Sequence, residues 1–166
     1  MSSETIVTAI FLITAVVAAG VLTAQIFPAI YTMSSTVSSS SQKANEQMRT
    51  DFSIVNTFAD TSNNAQVWLK NTGASRISMT DLNFSTMFIG APGDFETVSR
   101  DDSLPAPPPG SWTYDILDNT NAYWDEGETL HVSLRSLKIP GSSGDEVYFQ
   151  MVLSDGSKRG EQFTVS

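Results

Sequence analysis

The residues best able to do chemistry in this 166-residue chain are one histidine and a few pairs of carboxylates, and their spacing does not build a catalyst. His131 alternates with Leu130 and Val132, so it belongs on the opposite face of a strand from those two apolar side chains. No Ser or Asp stands at a spacing that would make a triad with it. The cysteine count is zero, which removes disulfides, zinc–thiolate sites and thiol nucleophiles together. A glycine-rich phosphate loop with its lysine is missing as well. Asp101/Asp102 and Asp125/Glu126 fall in expected loops, where solvation is the ordinary role of a carboxylate. An enzyme is therefore not expected, and no cofactor is assigned.

The acidic stretch Asp115–Glu128 comes nearest to a metal site, because hard cations take clustered carboxylates and carbonyls. It lacks the alternating ligands of a calcium-binding EF-hand, with Thr120 where an acid or Asn would be needed. No metal is assigned, and Asp118, Asp125 and Glu126 are only weak candidates. Asn83-Phe84-Ser85 is the one N-x-[ST] sequon, which makes Asn83 a candidate for N-glycosylation if the surrounding domain faces outside.

The element that must position everything else is Ile6–Ile30, which has no charged residue. As a helix it spans about 37 Å, against a hydrocarbon core of about 30 Å. It is apolar nearly all round, so lipid or other copies of the same helix must cover it. Thr14/Ala18 and Gly20/Ala24 are each four residues apart, and each pair would let a neighbouring helix approach closely. Gly and Ala are also simply common in membrane helices. Pro28 removes a helical hydrogen bond and is predicted to kink the helix near its far end. The start lacks the basic flank of a secretory signal, so the helix reads as retained, with Ser2 or Ser3 as its cap.

A seam at coiled-coil spacing, Ile30, Met33, Val37, Ser41, Ala44, Met48, Phe52 and Val55, predicts that the helix runs on beyond the apolar run. A serine-rich linker at Ser34–Ser41 is the alternative. The stretch from Thr5 to Gln42 is 38 residues without a charge, longer than one bilayer span requires. It fits the buried stem of a polymer.

Beyond residue 51 lie 15 of the 18 acids and seven of the nine basic residues. With a net charge of −9, the chain is not built to bind nucleic acid. From Phe52 the hydrophobic period changes to two. Strands are expected at Phe52–Phe58, Ala65–Asn71, Arg76–Met79, Leu82–Ile89, Glu96–Val98, Trp112–Leu117, Leu130–Leu134, Val147–Leu153 and Gln162–Val165. Asp155-Gly156 signals a tight hairpin, and Asn71-Thr72-Gly73 another turn. The proline-rich run Arg100–Gly110 must be a loop. The expected fold is α+β: a long hydrophobic helix over residues 1–51 and one antiparallel β-sandwich head over 52–166.

These residues resemble a known family. Glu4-Thr5-Ile6-Val7-Thr8-Ala9-Ile10 running into Ala18-Ala19-Gly20-Val21 is similar to the start of archaellum proteins of the FlaF/FlaG type, which are pilin-like relatives of the archaellins. Val67-Trp68-Leu69-Lys70-Asn71-Thr72-Gly73 and Tyr123–Leu130 look like segments that they share. The resemblance implies a type IV pilin-like helix and a non-enzymatic subunit that assembles through it. It also implies other archaellum subunits, the membrane and the cell envelope with its S-layer as partners. The helix would lie in the membrane or in a filament core, with the head outside the cell. FlaF and FlaG belong to the stator of the machine, whereas archaellins form its filament. Archaellin precursors carry a basic residue and Gly before their cleavage point, and no such pair stands here. Glu4 is one position from the fifth-residue Glu of many mature pilins. The stator type is therefore the leading expectation, archaellin the alternative. A membrane-anchored extracellular binding module is the competing class.

Overall fold

A computed structural model describes residues 3–102, 107–118 and 120–166. The first helix, α1, runs unbroken over Ser3–Arg49 and includes both Pro28 and the four serines at 38–41. The serine-rich linker is therefore not what forms. Hydroxyl groups would weaken a helix if they competed for its backbone, but here they close onto it. Thr32 Oγ1 donates to the Pro28 carbonyl at 2.9 Å, Thr36 Oγ1 to Thr32 at 2.8 Å and Ser39 Oγ to Ser35 at 2.9 Å. Thr8, Thr14 and Thr23 do the same onto Glu4, Ile10 and Ala19. The proposed cap at Ser2 lies outside the described residues, and Ser3 is the first helical one.

The expected seam ends sooner than its spacing suggested. Phe52 and Val55 belong to the first strand, where Phe52 turns into the core and Val55 stays 60% exposed. The chain divides into two compact units, Met1–Ala44 and Asn45–Ser166, and the last helical turn belongs with the second.

That second unit contains β1 (Phe52–Ala59), β2 (Asn64–Asn71), β3 (Ile77–Ser78), α2 (Met79–Asn83), β4 (Thr86–Ala91) and β5 (Asp94–Arg100). It continues with β6 (Ser111–Ile116), β7 (Tyr123–Trp124), β8 (Thr129–Arg135), β9 (Glu146–Val152) and β10 (Lys158–Thr164). Eight strands pair in the order β1-β2-β8-β6-β5-β4-β9-β10, and β3 pairs with β7 separately. β5 joins the two halves. It pairs with β4 from Asp94 to Val98, then through Ser99 and Arg100 with β6. Inward side chains of both halves share one core: Val67, Leu69, Val132 and Leu134 from one, Met87, Ile89, Phe149 and Met151 from the other. This is a sandwich in which one strand changes layers. The sheet ends also meet, since the Ser166 amide donates to the Ala59 carbonyl at 2.9 Å.

Several details of the head differ from expectation. The β5–β6 pair is parallel, so the head is mostly rather than wholly antiparallel. Leu82 and Asn83 are helical, not the start of a strand, because Ser78 caps α2. Its Oγ accepts from the Asp81 amide at 3.1 Å and donates to the Asp81 carboxylate at 2.6 Å, an N-cap whose hydroxyl is held by the acid three residues on. The last strand opens at Lys158 and not at Gln162. The Asp155-Gly156 turn closes at once, with Leu153 N to Ser157 O at 2.9 Å, and pairing begins directly after it. β7, two residues long, was not expected, since so short a strand shows no period.

Candidate functional site

Thr14, Ala18, Gly20 and Ala24 all lie exposed on α1, as does every described residue of that helix. A Cβ added at Gly20 would meet nothing within 4 Å in the chain itself. The space there is thus open to a neighbour. Thr14 gives its hydroxyl proton to Ile10, so it offers small size rather than a free donor. Around these small residues stand Ile10, Phe11, Leu12, Ile13, Val16, Val17, Val21 and Leu22, each at least half exposed. The helix is long and apolar enough to cross a membrane.

Among its described residues, the head carries no comparably long exposed apolar stretch. Asp125 accepts from Asn121 Nδ2 at 2.8 Å and lies 3.7 Å from Arg76 Nε. Its amide donates to Glu128 Oε2 at 2.8 Å. These groups organise the loop after β6. Asp118 sits in the left-handed region at φ 60°, and Glu126 is exposed. Among the described residues, no three acids or histidines gather as a metal would require. Asn83 is exposed at the end of α2, where its Oδ1 accepts from Tyr114 Oη at 3.0 Å. Ser85 of the same sequon is buried and donates to the Asp81 carbonyl at 3.2 Å. A cleft of about 360 Å³ is lined by Glu46, Arg76, Asp81 and Asp155 among others, and His131 does not reach it.

His131 does lie on the outer face of β8, as its alternation predicts, but it has a partner there. Its ring stacks on Trp68 of β2 with centroids 4.7 Å apart and planes at 19°. Its Nε2 is buried without a hydrogen bond. Burial lowers its pKa below the usual imidazole value, and the Asp115 carboxylate across the β6–β8 ladder opposes that only in part. The folded head therefore binds this proton less tightly than the unfolded chain. The resulting stability is present above about pH 6.5 and is lost as pH falls through the lowered value. As the chain has a single histidine, its Cε1 proton resonance reports this directly. The NMR titration midpoint is expected below the ordinary value, and a midpoint above it would contradict the burial argument.

A side chain that sequence reasoning treated only as a turn residue proves central. Asn71 is fully buried, and its amide group bonds three backbone groups. Its only signal was the Asn-Thr-Gly triplet, which marks a turn without showing which other elements the side chain would join.

Comparison with known proteins places this architecture. The archaellum periplasmic stator protein FlaG of Sulfolobus acidocaldarius superposes with a TM-score of 0.54 at 24% identity, over 69% of this chain and 99% of that one. The archaeal flagellum of Methanospirillum hungatei gives a TM-score of 0.68 at 15% identity, over 97% of this chain and 93% of its subunit. Both are likenesses of fold. In sequence, an uncharacterized protein of Archaeoglobus fulgidus is 27% identical over 168 residues, covering 99% of each chain. The model of the archaeal-type flagellin family matches residues 2–163, and the chain belongs to that family.

Proposed function

We propose that this archaellum-related protein is a non-enzymatic, pilin-like subunit of the FlaF/FlaG stator type that assembles through its N-terminal helix. The observation that carries assembly is the uncharged stretch from Thr5 to Gln42, none of it buried by the rest of the chain. At helical rise it is about 57 Å long, nearly twice a hydrocarbon core of about 30 Å. The back-bonded hydroxyls supply a further reason. They satisfy part of the hydroxyl donors of the serine-rich stretch within the helix, which lowers the cost of dry, helix-lined surroundings. Such a helix needs other helices where the lipid ends. Thr14, Ala18, Gly20 and Ala24 are the packing positions in this reading, and Pro28 is the site of a kink. Residues 1–51 form the assembly element and 52–166 the head, which lies outside the membrane and meets other archaellum subunits and the envelope with its S-layer. Asn83, exposed there, is available for glycosylation.

The stator type is supported by the likeness of Glu4–Ile10 and Ala18–Val21 to proteins of that type. The archaellin reading is favoured by the fuller likeness to the M. hungatei filament subunit, helix included. Mass spectrometry of sheared extracellular filaments separates the two. The stator reading expects this chain to be absent or scarce in them, and finding it as their dominant protein would overturn that reading in favour of archaellin. Electron microscopy of detergent-extracted protein tests assembly itself. Dispersed single heads under every condition would favour the membrane-anchored binding module.

A further inference from the structure

The junction between helix and strand is gripped from two sides by the head. On one side is the loop after β2. The Thr72 and Gly73 amides both donate to the Asp51 carbonyl, at 3.0 and 2.8 Å, and the Ser75 amide donates to the Arg49 carbonyl at 3.2 Å. Arg49 in turn reaches the Ala74 carbonyl at 3.4 Å. The carbonyls at a helix end have no intrahelical partner, so this loop supplies one that water would otherwise supply.

Gly73 is what lets the loop come so close. A Cβ there would lie 2.3 Å from the Arg49 oxygen and 2.4 Å from the Asp51 nitrogen, both backbone atoms that no rotamer change can move. Asn71 holds the loop in that position from behind. Its Nδ2 donates to the carbonyls of Ser75 at 3.0 Å and Trp124 at 2.9 Å, and its Oδ1 accepts from Gly73 N at 3.0 Å. Its backbone meanwhile bonds Gly127 and Glu128, so the loop is tied to the β7–β8 connection. On the other side is the β9–β10 hairpin. Gln47 Nε2 donates to the Asp155 carbonyl, and Arg159 pairs with Asp51.

We propose that Asn71 and Gly73 build a load-transmitting joint that fixes the end of the assembly element, residues 46–51, to the head. A pull or twist arriving along the last helical turn would then enter the sheet through several parallel bonds instead of the one covalent link at Thr50 and Asp51. That such a force exists rests on the archaellum reading, whereas the joint itself does not. Asn71 and Gly73 are positioning residues.

The test uses the full chain in detergent. Because the chain has no cysteine, Met48→Cys places a single spin label on the last turn, at a residue 79% exposed. The expected spectrum shows slow backbone motion with Asn71 and Gly73 present. Gly73→Ala and Asn71→Ala should each mobilise the label and speed amide exchange at Thr72 and Gly73 roughly tenfold or more, since several bonds are lost together. Near-ultraviolet circular dichroism checks that the core remains folded. An immobile label and unchanged exchange in a folded Gly73→Ala head would overturn the joint. If that variant fails to fold, the surface double variant Gln47→Ala/Arg159→Ala decides. It should mobilise the label on the hairpin side, and no change would again overturn the proposal. None of these readouts depends on assembly, so the joint and the archaellum reading can fail separately.

Discussion

Trp124→Ala is expected to cost the head about 3–5 kcal/mol, the range for deleting a large aromatic side chain from a packed core. Trp124 is fully buried and packs against Phe52 with ring centroids 6.0 Å apart at 54°. Its Nε1 donates to the Glu128 carbonyl at 3.0 Å, and its own carbonyl accepts from Asn71. Truncation would open a cavity and leave the Glu128 carbonyl without that donor. Domains of this size are stable by about 5–15 kcal/mol, so one substitution would remove a large part of the margin. Denaturant unfolding of the full chain in detergent measures it, followed by the fluorescence of the two remaining tryptophans, Trp68 and Trp112. A loss under about 1 kcal/mol would mean that the two-residue strand β7 contributes little to the core, contrary to this expectation.

Gly20→Leu is expected to do the opposite: leave the head intact and abolish assembly. Between helices that are apolar all round, association depends on close packing and not on a hydrophobic driving force. Leu is more favourable than Gly in hydrocarbon, and it raises intrinsic helix propensity by roughly 1 kcal/mol. Within its own chain the new side chain meets no obstacle, since nothing lies within 4 Å of a Cβ at that position. On insertion and stability alone the variant should therefore equal or exceed the parent. Any loss of assembly must then come from a neighbouring helix that the leucine holds away. Co-sedimentation of assembled material, with head folding checked separately, is the measurement. Parental levels of assembly would show that Gly20 is not at a helix contact.

The two substitutions differ in how far the sequence could anticipate them. Gly20 sits in a segment whose behaviour is local. Absence of charge, apolar residues on every side and hydroxyls able to reach a carbonyl one turn back are all properties of neighbours in the chain. The helix could be read from Ile6 onward, and only its end at Arg49 was misplaced by the seam through Phe52 and Val55. The strands with strict alternation were legible for the same reason. Leu130–Leu134 and Val147–Leu153 each keep one apolar face, and Asp155-Gly156 turns sharply by its own backbone preference. The cap on α2 was local too, but apolar Leu82 and Phe84 gave that stretch the alternation of a strand and hid it.

Trp124, Asn71 and His131 belong to the other kind. Alternation states which face of a strand a side chain takes, not which strand will lie beside it. That β5 would run parallel to β6, that Trp68 would meet His131 across β2 and β8, and that Trp124 would close over Phe52 depended on which strands and loops lie side by side in the folded head. The partners of Asn71 are scattered through the chain as far as Trp124, and only the folded head brings their carbonyls within about 3 Å of one amide group. The sequence by itself determined a long uncharged helix and an acidic β head, because period, charge and turn chemistry act between near neighbours. Tertiary structure alone decided which residues hold the head to the end of its helix, because those bonds join groups far apart in the chain and nearly all of them end on a backbone group that carries no side-chain signature.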